Sequence, residues 1–227
     1  MGRAVVFDGL EPRVFHHGKR VIKALNMKEK RVLRLKREQL PKATITLARY
    51  LIGKTLVHDL PGVRLAGRIV ETEAYLVGDE AAHSFRGETP RNRSLFLERG
   101  HAYVYFIYGN HFMLNVAGGR HGIGEGVLLR AAEPLEGTEE MRLRRGTKSL
   151  RDLARGPGRL AEAFRIDRSL DGADFCGGGP LWLGSPVRRA GSIGTSVRIG
   201  ITKDAHRLLR FYERGSKCVS GTKALRE

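Results

Sequence analysis

The stretch Leu60-Pro-Gly-Val-Arg-Leu-Ala-Gly-Arg-Ile-Val-Glu-Thr-Glu-Ala-Tyr75 decides the fold. Pro61-Gly62 is a turn signal between two extended runs: Lys54 to Leu60 reads as one strand and Val63 to Tyr75 as the next. Leu60-Pro-Gly-Val63 also resembles the turn of a helix-hairpin-helix DNA motif. Its flanks are strand-like, however (Thr55, Leu56 and Val57 before, Leu65, Ile69 and Val70 after), and no well-marked helix follows. In a regular strand Glu71, Glu73 and Tyr75 project to one face. Paired carboxylates suit glycosidic-bond hydrolysis, one as acid and one as base or nucleophile. An arbitrary Glu-x-Glu is more often a solvated strand face. Here Ile69, Val70 and Ala74 imply partial burial, which would raise a carboxylate pKa toward the range of a general base.

Upstream, Thr44 is read as the cap of a short helix through Ile45, Leu47, Ala48 and Leu51, which Gly53 ends. Downstream, Gly78 to Gly100 is polar and turn-rich. Alternation returns over His101 to Tyr108, breaks at Gly109-Asn110 and resumes through Phe112, Leu114 and Val116, the pattern of a hairpin. Gly126 to Ala132 predicts a further strand. Leu135 to Ile166 reads as helical pieces, one opened by Gly156-Pro157 with Leu160, Ala163 and Phe164 on one face. After Asp167 short strands are expected near Val197 to Ile201 and Leu208 to Glu213. The sum is one α+β domain with a mainly antiparallel sheet, spanning residues 43–216, with a tail at 217–227.

The chain has 227 residues, enough for one sizeable core, and 41 Lys and Arg against 24 Asp and Glu, a net charge of +17. Such an excess points to a polyanionic partner, most often nucleic acid. Carboxylates repel phosphate, so an acidic, tyrosine-rich centre in a basic chain implies that the acid has a chemical task. Eleven Lys or Arg residues fall between Arg13 and Lys42 with only two acids, and apolar periodicity there is broken. Residues 1–42 therefore read as a basic arm, partly disordered or loosely helical. Added phosphate contacts, a nuclear-type address and a solvated tail are all open readings of it. Two cysteines, Cys176 and Cys218, are too few for a disulfide framework or structural zinc site. No run reaches the ~18 apolar residues of a membrane span, and the N-terminus lacks an apolar signal core. An intracellular protein is expected, in the cytoplasm or nucleoid of a bacterium or the nucleus of a nucleated cell.

The eight histidines form no H-x-E, HExxH or His/Cys pairing, which disfavours a zinc deaminase, and no GxxxxGK[ST] is present for ATP. No metal and no cofactor is expected. His83 alone could be a base contact, a cap or a surface histidine. Tyr103, Tyr105 and Tyr108 could be core aromatics. Tyr108 differs in standing just before the turn at Gly109, where an exposed aromatic can act as a wedge between base pairs. Arg91, Arg93 and Arg99 flank the hairpin and could hold phosphates.

Gly67-Arg-Ile-Val-Glu-Thr-Glu-Ala-Tyr75, Glu80-Ala-Ala-His-Ser84, Thr89-Pro-Arg-Asn-Arg93, Tyr103-Val-Tyr-Phe-Ile-Tyr-Gly109, Asn115 and Val127-Leu-Leu-Arg-Ala131 together resemble the alkyladenine (3-methyladenine, N-methylpurine) DNA glycosylase family of mammalian type. The resemblance runs from Leu47-Ala-Arg-Tyr-Leu-Ile-Gly53 to Arg210-Phe-Tyr-Glu-Arg-Gly215, and the arm lies outside it. It implies a monofunctional base excision repair enzyme whose hairpin enters the minor groove of double-stranded DNA. The enzyme would flip an alkylated or deaminated purine and hydrolyse its N-glycosidic bond, leaving an abasic site. By position, Glu73 resembles the base that activates water, with Arg130 helping to hold the site. Tyr75, His83 and Tyr105 resemble the walls around the flipped base, Tyr108 the residue that fills the gap in the duplex, and Asn115 the residue that crowds guanine's amino group. A monomer acting away from membranes is implied. Asn110, His111 and Met113 depart from the apolar or aromatic residues of mammalian members, and the loop between Tyr75 and His83 is one residue shorter.

Two rivals remain at this level. A non-catalytic binder of distorted DNA or structured RNA would need only the charge and a wedge aromatic. A sugar hydrolase using Glu71 and Glu73 would leave the +17 charge unexplained.

Overall fold

Ten consecutive residues of one strand, Leu65 to Ala74, are buried, and the rest of the molecule is arranged around that strand. The structure, a computed structural model, describes residues 32–107 and 109–222. Strand β1 (Thr55–Leu60) and β2 (Val63–Tyr75) pair antiparallel with Leu60 opposite Val63, so Pro61-Gly62 is a two-residue turn. Gly62 sits at φ +80°, the left-handed conformation that glycine adopts without steric penalty. The hairpin-helix reading is thereby excluded, and the strand reading of both flanks holds.

A second hairpin joins β3 (Ala102–Ile107) to β4 (His111–Ala117). Gly109 near its tip also has a positive φ, +71°. β5 (Gly126–Glu136) runs between β4 and β2, and β6 (Leu181–Gly184) closes the far edge on β1. β7 (Ile193–Ser196) pairs with β8 (Arg210–Glu213), which lies beside Glu71 to Glu73 on the same edge of β2 that β1 occupies farther down. Every pairing is antiparallel. The fold is α+β as expected, a curled antiparallel sheet with three short α-helices among the described residues. No helix among the described residues is long and apolar enough to cross a membrane.

Helix α1 (Thr44–Leu51) packs Leu47, Ala48 and Leu51 into the main core. Thr44 is its first helical residue rather than its cap; its hydroxyl donates to Glu125 at 2.5 Å, and Ala43 stands at the cap position. Helices α2 (Thr138–Arg145) and α3 (Pro157–Ala163) follow β5, the latter with Leu160, Ala163 and Phe164 in the core as their spacing predicts. Proline suits the first helical turn of α3 because an N–H there has no intrahelical partner.

Two expectations are revised. The strand placed at Val197 to Ile201 is a loop, and the strand lies just upstream at Ile193–Ser196. Val32 to Lys42, read as the end of the basic arm, packs on the domain. Leu35 and Leu40 are buried in the main core, and the Leu35 N–H donates to the Leu183 carbonyl at 2.9 Å. Apolar periodicity there is broken because two single leucines, not a helix face, make the contact. Residues 1–31 lie outside the described residues.

Candidate active site

Alternation along each strand gives the sheet two faces. Val104 on β3, Leu114 and Val116 on β4, and Val127 and Leu129 on β5 belong to the helix-covered core. Their neighbours Tyr103, Tyr105, Met113, Asn115, Leu128 and Arg130 line a pocket of about 380 Å³ on the opposite face. On β2 simple alternation would fail: Leu65 and Ile69 are core residues, so Glu71 and Glu73 would follow them into it. Paired bulges prevent this. Ile69 faces Ala132 and Glu71 faces Ala131, which makes Val70 an extra residue on β2; Thr72 then faces Leu129, which makes Arg130 an extra residue on β5. After the bulge Ala74 is the core residue and the Thr72 hydroxyl donates to the Ala48 carbonyl of α1 at 2.9 Å. Glu71, Glu73 and Tyr75 are thereby turned to the pocket side, and Arg130 is re-aimed at them.

Both carboxylates are fully buried, in very different company. Glu71 Oε1 accepts from Arg130 Nε at 2.8 Å, Arg210 Nε at 2.7 Å and the Ser220 hydroxyl at 2.8 Å, and Oε2 accepts from the Ser220 N–H at 2.6 Å. Burial pushes its pKa up, but Arg130 and Arg210 outweigh that and hold it below the usual carboxylate range. Burial alone predicted the opposite direction. Glu73 Oε1 accepts from the Ile199 N–H at 2.8 Å and lies 3.2 Å from Arg130 Nη1, while Oε2 accepts from the Tyr75 hydroxyl at 3.0 Å. Tyr75, Arg130 and Ile199 all line the pocket, so Glu73 stands directly behind its wall.

Aromatic rings form the other walls. His83 meets the Tyr105 ring at 4.4 Å between centroids, and Tyr105 stacks on Tyr103 at 5.4 Å. The His83 Nδ1 and the Tyr103 hydroxyl are 2.9 Å apart. Burial, with the nearby Arg91 charge, pushes His83 below the usual imidazole range. Burial likewise pushes the Tyr103 hydroxyl up to about 12, and burial with the Glu73 charge pushes Tyr75 well above the ordinary phenol value. The Asn115 side-chain amide donates to the Tyr103 carbonyl at 3.2 Å and is thus fixed at the pocket wall.

The structure therefore brings Glu73, Tyr75, His83, Tyr105, Asn115 and Arg130 to one place. Tyr108 lies outside the described residues. Arg91 and Arg93 are exposed near the hairpin, whereas Arg99 is largely covered and paired with Glu98 at 3.4 Å. Sequence reasoning missed Tyr103 as a wall residue, the loop Ile199–Gly200–Ile201 that closes the pocket, and Arg198, which binds Asp79 and lies 4.6 Å from the Tyr75 ring centroid. Strict alternation with Tyr105 could have flagged Tyr103. Nothing local marks the loop.

A flat-walled cavity of this size over a buried acid is the build of an enzyme for a planar heterocycle. Residues 38–217 match the family model described as methylpurine-DNA glycosylase. The chain belongs to the methylpurine-DNA glycosylase family and is a DNA glycosylase of DNA repair. It is 66% identical over 191 residues to a protein of Mesorhizobium japonicum provisionally named a 3-methyladenine DNA glycosylase, covering 84% of this chain and 92% of that one. A protein of Paraburkholderia phytofirmans with the same provisional name is 51% identical over 86% of this chain and 91% of its own length. One from Methanoculleus marisnigri is 50% identical over 78% and 93%. The match spans both hairpins and the whole pocket, and it sets aside the sugar hydrolase and the non-catalytic binder.

Proposed function

We propose that this glycosylase flips an alkylated or deaminated purine out of duplex DNA into the tyrosine-walled pocket. The substrates are of the 3-methyladenine, 7-methylguanine, hypoxanthine and ethenoadenine class. Water activated by Glu73 then cleaves the N-glycosidic bond. One observation carries the choice of Glu73 over Glu71. The Glu73 partners Tyr75, Arg130 and Ile199 all line the pocket, whereas the Glu71 partners Arg210 and Ser220 do not. Glu73 Oε2, accepting from the Tyr75 hydroxyl, keeps a lone pair for water.

In the reaction the water oxygen bonds to C1′ as the C1′–N bond breaks, and its proton passes to Glu73. The bonding pair leaves with the base. A base alkylated at N3 or N7 is cationic and departs neutral, so little acid catalysis is needed. Electron-rich rings at Tyr75 and Tyr105 favour such a cation by stacking. Arg130 holds the Glu73 carboxylate at the end away from Tyr75, and Asn115 narrows the pocket against guanine. Tyr108 at the hairpin fills the gap in the base stack, with the hairpin in the minor groove. Arg91 and Arg93 meet phosphates, helped by the basic residues that precede Val32; Arg99 serves there less, being tied to Glu98. The enzyme works as a monomer and inside the cell. Release of a free base from duplexes carrying one defined lesion each, by wild type and by Glu73→Gln, tests the reading.

A further inference from the structure

The chemistry above makes no use of Arg198, yet this side chain is fully covered and touches the site twice. Arg198 grips Asp79 with both terminal nitrogens, one contact being 2.9 Å from Nη2 to Oδ1, and Asp79 is itself fully buried. Nη1 also donates to the Ala74 carbonyl at 3.2 Å. Its guanidinium carbon lies 4.6 Å from the centroid of the Tyr75 ring, and its Nε is buried without a hydrogen-bond partner among the described residues. The next residue, Ile199, gives its N–H to Glu73. Asp79 meanwhile accepts from the Ala81 N–H at 3.1 Å, in the segment that leads to His83.

Burying two charges carries a desolvation cost that an apolar contact would avoid, and it is offset only by good geometry. What an arginine–carboxylate fork adds is orientation, since two parallel hydrogen bonds fix the planar group. Here the oriented group bears on the ring that donates to Glu73 Oε2 and on the backbone that donates to Glu73 Oε1. We propose that Arg198, clamped by Asp79, is the positioning residue for the general base. It fixes the 197–201 loop and the Tyr75 ring so that the Glu73 carboxylate keeps one orientation, with its open lone pair toward the water. The inference rests on the assignment of Glu73 as base and deepens it.

The test uses the full chain with Arg198→Lys, and with Asp79→Asn/Arg198→Met, which removes both charges together and so avoids a lone buried ion. Single-turnover base release at saturating enzyme is expected to fall about tenfold or more in both, because misaligned catalytic groups cost that order of rate. Affinity for a duplex carrying an abasic-site analogue should change less than about twofold, a split that general unfolding would not produce. The Ile199 amide proton, hydrogen-bonded to a carboxylate in wild type, should move upfield in these variants, as it should in Glu73→Gln. A folded variant that releases base within about twofold of wild type overturns the proposal, and so does an unmoved Ile199 amide. If Glu73→Gln itself retains wild-type activity, the assignment of the base fails. If Glu73→Gln is inactive while the Arg198 variants are not, only the positioning role fails.

Discussion

Arg130 is shared between two carboxylates, its Nε 2.8 Å from Glu71 and its Nη1 3.2 Å from Glu73. The sharing assigns the two acids different work. Glu71 holds Arg130, Arg210 and Ser220 together, so its removal takes one carboxylate charge away from two buried guanidinium groups. Glu71→Gln is expected to lose about 3 kcal/mol of stability, the scale for breaking a buried ion pair on one side. Base release should fall only about tenfold, through a loosened Arg130. Denaturant melts beside base-release rates check both; an unchanged melt would contradict the role.

The acid limb of stability follows from the same group. The folded-state pKa of Glu71 is depressed, because Arg130 and Arg210 outweigh burial. Its contribution is therefore complete above the unfolded value of about 4.3 and is lost as pH falls through the lower folded value. The wild type should destabilise steeply below about pH 4, and Glu71→Gln should show a shallower slope there. Parallel slopes in urea melts from pH 3 to 6 would refute the account.

His83 offers a test at milder pH. Burial first, and then Arg91, push its pKa below the ordinary value, so folding favours the neutral ring. The sign is opposite to that of a histidine in an ion pair. Its neutral-state stabilisation is full above the unfolded value of about 6.5 and diminishes as pH drops toward the folded value. In a histidine NMR titration its midpoint should lie below those of exposed histidines, and Arg91→Ala should move it upward. A midpoint at or above those of the exposed histidines would contradict this environment for the ring.

The hairpins, helix α1 and the six residues gathered at the pocket were legible because each rests on local periodicity or a quoted motif. The orientation of β2 was not. A regular strand puts Glu71, Glu73 and Tyr75 on one face, as observed, but it puts them on the face of Leu65 and Ile69 as well. Paired extra residues at Val70 and Arg130 resolve that conflict, and such a compensated bulge leaves no local signature in either strand. The same holds for Glu71: three of its four donors come from Arg210 and Ser220, both about 140 or more residues away. The Val197–Ile201 segment reads as a strand by composition, yet Ile199 and Ile201 turn to the pocket and the backbone of Ile199 serves Glu73.

Asn115 is held at the pocket wall by the hydrogen bond from its own amide to the Tyr103 carbonyl. Asn115→Ala should raise release of unmodified guanine relative to hypoxanthine by about tenfold, the scale at which one excluded group discriminates. Duplexes with a single guanine or hypoxanthine at one site measure the ratio, and an unchanged ratio would remove the guarding role.

Binding and chemistry should separate by salt. With a net charge of +17, affinity for undamaged duplex should fall steeply and linearly on a log–log plot as salt rises, while the single-turnover rate on bound lesion DNA should stay flat. A rate that tracks salt at saturation would place the basic surface inside the chemical step.

The most direct measurement is base release from a duplex with one 7-methylguanine, comparing wild type with Glu73→Gln at saturating enzyme. Release by wild type, with loss of about a thousandfold or more in the variant and duplex affinity retained, is the predicted result. Release at a comparable rate by Glu73→Gln would contradict the assignment of Glu73 as the base that activates water.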